Sequence, residues 1–304
     1  MTKDVKKEVV KIRIAVISDI HGNIVALDGI LEDLKKDKID KVVSLGDFCN
    51  ELPNGNEVAE RLREINAYSI LGNKEEYFLQ YDEKRYDWKN IQFRNTIYMF
   101  DLLTKENLEY MRNLPFSISD EFDGVKIKFV HGSPESVYEL VHENDVDKLD
   151  KYSKSLEEDM LVLGHTHDPI WVRRVNGKTI VNAGCAGVSV YNIGEAEYVI
   201  LDCKNGKCSV ERHMVKYDLE QVKANIINSG ITRIERTFSN LVFLAIDGMP
   251  EVRRRFYHTA IEKMERDGRK LYRDDAEGIF KTFKLLDDDV WIEGSKEVEK
   301  YFLI

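Results

Sequence analysis

The 304-residue sequence lacks long apolar runs, and it has few cysteines and no excess of basic residues. No stretch approaches the roughly 20 apolar residues that a membrane-spanning helix needs. The first residues, Met1 to Glu8, are polar and mixed in charge, without the apolar centre of a signal peptide. We therefore expect a cytoplasmic protein that does not bind membranes.

The charge balance is acidic, with 45 basic and 55 acidic residues giving a formal net charge of −10. Proteins that coat nucleic acid bind it by neutralising phosphates with Lys and Arg. The balance therefore argues against bulk nucleic-acid binding. It does not exclude a small anionic substrate, because bound metal ions can dominate the field within a site.

The four cysteines show no disulfide framework. Cys203 and Cys208 flank Asn205-Gly206, a dipeptide typical of a two-residue hairpin turn. We interpret the pair as reduced thiols on a hairpin, and a zinc-binding pair or a redox disulfide is the alternative. Reduced thiols are typical of the cytoplasm.

The order of apolar segments predicts an α/β fold. With 43% hydrophobic residues the chain can bury a sizeable core, and its length fits one large domain or two. Up to residue 73, strand-like segments alternate with amphipathic helices at 24–36 and 57–65, which predicts parallel strands with right-handed crossovers. Later segments pair as hairpins at Asp123-Gly124, Asn176-Gly177 and Asn205-Gly206, which suggests a second sheet packed on the first.

Two regions depart from this pattern. Residues 75–114 are rich in aromatics and predict a helical insert, whose rings form either its own core or a wall of the substrate pocket. From Asp218 onward the sequence is helical and charged. We predict a main domain of residues 1–216, with the insert at about 75–114, followed by a helical appendage of residues 217–304.

Five apolar segments end in residues that can bind a divalent cation. The loops are Asp19-Ile20-His21, Gly46-Asp47, Gly72-Asn73, His131-Gly132-Ser133 and Gly164-His165-Thr166-His167. Any one of them could be an ordinary polar turn, because Asp and Gly also end strands. Sites gather beyond the carboxyl ends of strands in such sheets, so five loops of this kind indicate one shared metal site.

Seven side chains are candidate ligands: Asp19, His21, Asp47, Asn73, His131, His165 and His167. Oxygen and imidazole ligands without Cys suit Mn, Fe, Zn, Ni or Mg. Seven ligands exceed the need of one ion, which favours two ions that share a carboxylate. Two metals roughly 3.5–4 Å apart can clamp the attacking and leaving oxygens of a phosphoryl displacement. They can also hold a bridging water that is largely hydroxide at neutral pH.

These five motifs, in this order, resemble those of the calcineurin-like metallophosphoesterases over roughly residues 11–215. Asp19-Ile20-His21-Gly22-Asn23, His131-Gly132-Ser133-Pro134 and the Gly-rich loop at Asn182 are similar to bacterial and archaeal phosphodiesterases related to diadenosine tetraphosphate hydrolases. The resemblance implies a four-layer α-β-β-α sandwich of two mixed sheets, so that the main domain would be a metallophosphoesterase domain.

The resemblance also implies roles for the site residues. The first metal would be bound by Asp19, His21, Asp47 and His167, and the second by Asp47, Asn73, His131 and His165, with Asp47 bridging. We expect both metal ions to be manganese, with Fe, Zn, Ni or Mg as alternatives. The catalytic residues would be His131, Asn73 and Lys74. The substrate contacts would be Asn23, Lys74 and His142.

One departure from the family concerns the leaving group. In the family's phosphoprotein phosphatases a His, the presumed general acid, follows the Gly-Asn motif, whereas Lys74 follows Asn73 here. An unperturbed lysine, with a pKa of about 10.4, is a poor proton donor near pH 7. Substrates with stable leaving groups should therefore be favoured, such as a dinucleoside polyphosphate or an activated phosphodiester.

The expected activity is metal-dependent hydrolysis of a phosphodiester or nucleotide polyphosphate through a metal-bridging hydroxide. The expected partner is a small, nucleotide-like phosphate compound, and the sequence leaves a homo-oligomer open. Three alternatives are a phosphomonoesterase acting on proteins or small molecules, a non-catalytic scaffold, and a nucleotide sensor without turnover.

Overall fold

The computed structural model describes residues 11–85, 88, 93–189, 191–234 and 237–268. The predicted polar N-terminus, Met1 to Glu8, and residues 269–304 of the predicted appendage lie outside the described residues. Among the helices of the described ranges, none is both long and apolar enough to cross a bilayer.

The first sheet is built around three parallel strands. Its members are β1 (Ile12–Ile17), β2 (Lys41–Ser44), β3 (Tyr68–Ser69), β9 (Glu195–Lys204) and β10 (Lys207–Lys216), in the spatial order β10-β9-β1-β2-β3. The strands β1, β2 and β3 are parallel and are connected by α1 (Ile24–Leu34) and α2 (Gly55–Glu64). The βαβ pattern of the sequence predicts this arrangement correctly.

The second sheet combines two hairpins with a parallel centre. Its members are β4 (Ser117–Phe122), β5 (Val125–Val130), β6 (Met160–Leu163), β7 (Trp171–Val175) and β8 (Lys178–Asn182), in the spatial order β4-β5-β6-β8-β7. The central strands β5, β6 and β8 are parallel, and β4 and β7 are antiparallel to their neighbours. The helix α6 (Val146–Ser155) lies between β5 and β6 in the chain.

Alternating side chains show how the layers pack. Ile14 of β1 and Val162 of β6 belong to the core between the sheets. Ile17 of β1 lies on the other face, in the core that the first sheet shares with α1 and α2. Leu161 of β6 packs with Tyr152 of α6 on the outer face of the second sheet. The layers therefore follow the order helix, sheet, sheet, helix, which confirms the predicted four-layer sandwich.

The described residues of the insert form three helices, α3 (Asn73–Asp82), α4 (Arg94–Leu102) and α5 (Lys105–Arg112). Tyr77, Trp88 and Phe93 are buried in one aromatic cluster, together with Tyr138 from the loop after β5. Among the described aromatics of the insert, these rings form a core, and this agrees with the first of the two interpretations above.

In the part of the chain described after β10, four further helices follow: α7 (Leu219–Ser229), α8 (Ile231–Ile234), α9 (Phe238–Ile246) and α10 (Pro250–Arg266). Val222 and Ile226 of α7 join the core that covers the first sheet. Leu241 of α9 packs with Val252 and Phe256 of α10 in a separate small core. The division of the chain at residue 216 stays a prediction.

Two expectations need correction. The hairpin β9–β10 belongs to the first sheet, where Ile12 of β1 lies opposite Cys203 of β9, and not to the second.

Cys203 and Cys208 form a disulfide and are not reduced thiols. The two-residue turn at Asn205-Gly206 places them directly opposite each other, with Cα atoms 4.1 Å apart, as in a non-hydrogen-bonded antiparallel pair. Reduced thiols therefore no longer support a cytoplasmic localisation, which stays a prediction.

Candidate metal centre

Five loops meet at one end of the two sheets, where β1, β2, β3, β5 and β6 finish. Backbone hydrogen bonds join the loops. The N–H of His21 donates to the carbonyl oxygen of Asp47 (2.8 Å), and the N–H of Gly164 donates to that of His131 (2.8 Å). The structure thus brings together residues that are far apart in the chain.

Five candidate ligands have left-handed backbone conformations. The angle φ is 57° at Asp19, 52° at His21, 51° at Asp47, 68° at His165 and 54° at His167. Such values cost L-residues roughly 1–2 kcal/mol each. Strained residues of this kind cluster at functional sites, where the surrounding structure holds them. The loops therefore present their side chains at an energetic cost.

One group of potential ligand atoms comes from Asp19, His21 and His167. The Nε2 atoms of the two histidines are 2.9 Å apart, and Asp19 Oδ1 lies 3.3 Å from that of His167. The other oxygen of Asp19, Oδ2, accepts hydrogen bonds from the Ser18 hydroxyl (2.5 Å) and the His165 backbone N–H (2.9 Å). These two bonds aim Oδ1 at the histidines.

A second group comes from Asp47, His131 and His165, with Asn73 beside it. The Nε2 atom of His131 is 3.0 Å from Asn73 Oδ1 and 3.4 Å from Asp47 Oδ1. The rings of His131 and His165 have centroids 4.8 Å apart. All seven candidate ligands therefore lie in or directly beside the two groups.

Asp47 lies between the groups. Its Oδ1 faces His131, and its Oδ2 is 3.8 Å from the Nε2 atom of His21 in the first group. Burial would raise the pKa of Asp47, but the charges of His131 and His21 hold that pKa well below its ordinary value. An ionised carboxylate with one oxygen towards each group has the position of a bridging ligand.

The tautomers of two histidines are fixed by backbone carbonyls. Nδ1 of His131 donates to the carbonyl oxygen of Leu45 (2.7 Å), and Nε2 of His165 donates to that of Tyr138 (3.1 Å). The opposite ring nitrogens, Nε2 of His131 and Nδ1 of His165, are then the ones that can bind a metal. Burial and the charge of His131 lower the pKa of His165 to about 3, so its lone pair is available.

The donor atoms fit divalent cations. Asp19 Oδ1 is buried and faces the Nε2 atoms of His21 and His167, and Nε2 of His131 faces the acceptor oxygens of Asp47 and Asn73. Burial disfavours a charged ring at His131, yet the carboxylates of Asp47 and Asp19 raise its pKa to about 9. A site that attracts positive charge despite burial is suited to a metal ion, and carboxylate, amide and imidazole donors suit Mn, Fe, Zn, Ni or Mg.

Lys74 lies beside the second group, at the start of α3. Its backbone N–H donates to Asp47 Oδ1 (2.8 Å). Its Nζ atom is 3.6 Å from a carboxylate oxygen of Glu51 and 5.7 Å from the centre of the Tyr77 ring. The buried Glu51 thus holds a positive charge next to the candidate metal centre, and a catalytic role for Lys74 stays a prediction.

The two other predicted substrate contacts lie outside both groups. Asn23 is 2% exposed; its Oδ1 accepts from the Ala26 N–H at the start of α1, and its Nδ2 donates to the Gly187 carbonyl. These bonds favour a structural role for Asn23. His142 is half exposed, and its Nδ1 pairs with Asp168 (2.6 Å), the residue after His167. Contact of either side chain with substrate stays a prediction.

Sequence reasoning missed the residues that hold the ligands in place. Ser18 orients Asp19, and the carbonyl of Tyr138 orients His165. Glu75 is fully buried beside Asp47, and burial followed by the Asp47 charge raises the pKa of Glu75 to about 7. The only sequence signal for Glu75 is a carboxylate two positions after Asn73, which does not reveal that it is buried.

Residues 12–206 match the family model of the calcineurin-like phosphoesterase superfamily domain. An uncharacterized protein of Methanocaldococcus jannaschii is 30% identical over 246 residues, which cover 72% of this chain and 94% of that protein. A metallophosphoesterase structure from Sphaerobacter thermophilus has a TM-score of 0.61 and 24% identity, covering 73% of this chain and 95% of its own. The structure of a hypothetical protein from Pyrococcus horikoshii has a TM-score of 0.63 and 20% identity. It covers 77% of this chain and 97% of its own. The two structures show that the fold is shared.

Proposed function

The chain belongs to the calcineurin-like phosphoesterase superfamily, and on this premise we propose that it is a metal-dependent hydrolase of a phosphodiester or a nucleotide polyphosphate. The observation that carries the proposal is the position of Asp47, with one carboxylate oxygen towards each group of potential ligands. Two ligand groups that share a carboxylate are suited to two metal ions and to phosphoryl chemistry.

The ligands divide into two sets. The first metal would be held by Asp19, His21, Asp47 and His167, and the second by Asp47, Asn73, His131 and His165. When bound, such a pair of ions supplies Lewis-acid activation of the phosphate and of the attacking water. Manganese is our first choice among the metals that suit a donor set of oxygen and imidazole nitrogen, which also include Fe, Zn, Ni and Mg.

The protein's own residues would bind and orient the phosphate. Backbone carbonyls orient the rings of His131 and His165, and the centre is accessible on the side of His167, whose side chain is 18% exposed. Lys74 would place positive charge near a bound phosphate, since its main chain already contacts Asp47. No histidine follows Asn73 to protonate the leaving group, which favours a nucleotide leaving group over a serine alkoxide.

The test is hydrolysis of bis-p-nitrophenyl phosphate, p-nitrophenyl phosphate and a panel of dinucleoside polyphosphates, after chelation of bound metal and addition of Mn, Fe, Zn, Ni or Mg. We expect turnover of diesters or polyphosphates with at least one metal, best with Mn. Asp47→Asn should lower kcat/KM by more than about 100-fold, since loss of supporting residues alone typically costs 10–100-fold.

Asp120→Asn is the matched control, because Asp120 is an exposed carboxylate on β4 that pairs with Lys41. It should leave turnover unchanged. Faster hydrolysis of the monoester would assign a phosphomonoesterase instead. Folded protein without turnover by any metal would contradict the hydrolase, and calorimetric binding of nucleotides would then separate a sensor from a scaffold.

A further inference from the structure

Glu75 connects the loops that carry two of the candidate ligands. It lies in the first turn of α3 and is completely buried. Its Oε2 accepts hydrogen bonds from the backbone N–H groups of Asp47 (2.7 Å) and Gly72 (3.1 Å), and its Oε1 accepts one from that of Cys49 (3.0 Å). One carboxylate therefore binds the loop after β2 and the loop after β3 together.

The energetics of this arrangement indicate a specific role. A buried carboxylate is costly unless hydrogen bonds compensate for the loss of water, and three N–H donors provide that compensation here. One donor belongs to Asp47, whose φ of 51° is left-handed. A hydrogen bond from the strained residue's own N–H restrains the peptide plane from which its side chain projects.

The space around Glu75 is kept free by glycine. A Cβ atom on Gly72 would lie 2.3 Å from the Asp47 nitrogen and 2.8 Å from Glu75 Oε2. The two loops thus approach each other as closely as backbone allows, and the carboxylate fills the place that a side chain on Gly72 would take. Both oxygens of Glu75 are directed at backbone, so Glu75 is not a further metal ligand.

We propose that Glu75 is a positioning residue of the metal centre, which holds the Asp47 carboxylate between the two ligand groups through its bonds to Asp47, Gly72 and Cys49. This inference rests on the proposed function, because it gives Asp47 the bridging position. It predicts that Glu75 determines metal affinity without touching a metal.

The experiment measures Mn²⁺ binding to metal-free protein by titration calorimetry and by electron paramagnetic resonance, which detects coupling between two Mn²⁺ ions. Glu75→Gln keeps the size of the side chain but turns one acceptor into a donor, which must then face an N–H. Glu75→Ala removes all three bonds. We expect Mn²⁺ affinity to fall about 10-fold in the Gln variant and up to about 100-fold in the Ala variant, with loss of the coupled signal.

Glu158→Gln is the matched control. Glu158 is a largely buried carboxylate that accepts from Ser119 and pairs with Lys128, before the amino end of β6 and therefore at the opposite end of the sheet. It should lower stability without changing Mn²⁺ affinity. Thermal denaturation before metal addition shows which variants are folded, and the Gln variant decides the test if the Ala variant does not fold.

The outcomes separate the inference from the proposed function. If the unsubstituted protein binds no Mn²⁺, the result contradicts the proposed metal centre and, with it, the proposed role of Glu75. If the unsubstituted protein binds two ions and the folded Glu75 variants bind them with the same affinity and the same coupled signal, Glu75 is a stabilising residue only, and the inference is overturned while the proposed function stands.

Discussion

Gly46→Ala tests whether the close approach of two ligand loops is a requirement of the fold. Gly46 precedes Asp47 and has a φ of 89°, which an L-residue rarely adopts. A Cβ atom there would lie 2.4 Å from the nitrogen and 2.6 Å from the Cα of Gly72, both backbone atoms that cannot rotate away. The substitution should therefore push the Asp47 loop away from the Asn73 loop.

Two contributions determine how much Gly46→Ala lowers the free energy of unfolding. The left-handed conformation costs alanine roughly 1–2 kcal/mol, and forcing extra volume into a packed region costs typically about 1–3 kcal/mol. We expect Gly46→Ala to lower the free energy of unfolding by about 2–5 kcal/mol. Gly177→Ala is the control, because Gly177 has a similar φ of 79° but no atom of the described residues within 4 Å of the added Cβ. It should lose only about 1–2 kcal/mol.

Guanidinium unfolding of both variants measures the difference, with the slopes compared to ensure that the same surface is exposed. Mn²⁺ titration gives a second measurement, since Gly46→Ala should weaken binding while Gly177→Ala should not. Equal losses of unfolding free energy in the two variants would refute the close-approach account, because the clash would then contribute nothing.

Three further substitutions test other parts of the structure. Asn23→Ala should cost about 0.5–2 kcal/mol by removing the cap of α1, measured by chemical unfolding, with KM unchanged in steady-state assays. Replacing Cys203 and Cys208 by Ser should lower the free energy of unfolding by about 2 kcal/mol, because the disulfide closes only a short loop; thermal denaturation with and without dithiothreitol measures this. Lys74→His should change the dependence of kcat on the leaving-group pKa across a series of aryl phosphodiesters, because the imidazole is the better proton donor near pH 7.

Each of these has a contrary outcome. A raised KM in Asn23→Ala would show that Asn23 contacts substrate after all. Dithiothreitol should destabilise the unsubstituted protein but not the double Ser variant, and equal behaviour would mean that the disulfide does not form in solution. An unchanged slope in Lys74→His would remove Lys74 from the leaving-group hypothesis.

Local patterns in the sequence predict most elements of the fold. Short apolar runs, such as those of β1 and β6, and the turn dipeptides define strands and hairpins, because these depend on neighbouring residues. They do not determine which sheet a hairpin joins. The hairpin β9–β10 pairs with β1 through contacts between residues almost 200 positions apart, such as Ile14 and Leu201, and no local signal specifies such a pairing.

The turn at Asn205-Gly206 predicts that Cys203 and Cys208 lie close enough to form the disulfide. In a hairpin with a two-residue turn, the residues next to the turn form a hydrogen-bonded pair, and the following pair has its side chains closer together. Cys203 and Cys208 occupy that second pair. The position of Asn205-Gly206 midway between the two cysteines specifies this register.

The sequence predicts which candidate ligands lie together, but it does not predict the residues that hold those ligands in place. Ligand types at strand ends are visible in the sequence, whereas the left-handed φ values of Asp19 and Asp47 depend on contacts between loops. The burial of Glu75 likewise depends on how α3 packs against the loop after β2. Residues that hold a ligand can be any residue with the right neighbour, so sequence type gives little information about them.

Both sheets contribute loops to the candidate metal centre, so its metal affinity depends on how the sheets pack. The loops of β1, β2 and β3 come from the first sheet, and those of β5 and β6 from the second. Hydrogen bonds cross between the sheets at the site, among them those from the His165 N–H to Asp19 and from His131 Nδ1 to the carbonyl of Leu45. Each ligand group takes side chains from both sheets, so the distances within each group depend on the apolar core between the sheets, where Leu45 itself is buried. Because cores transmit changes in packing, metal affinity should respond to the packing of this core as well as to the ligands.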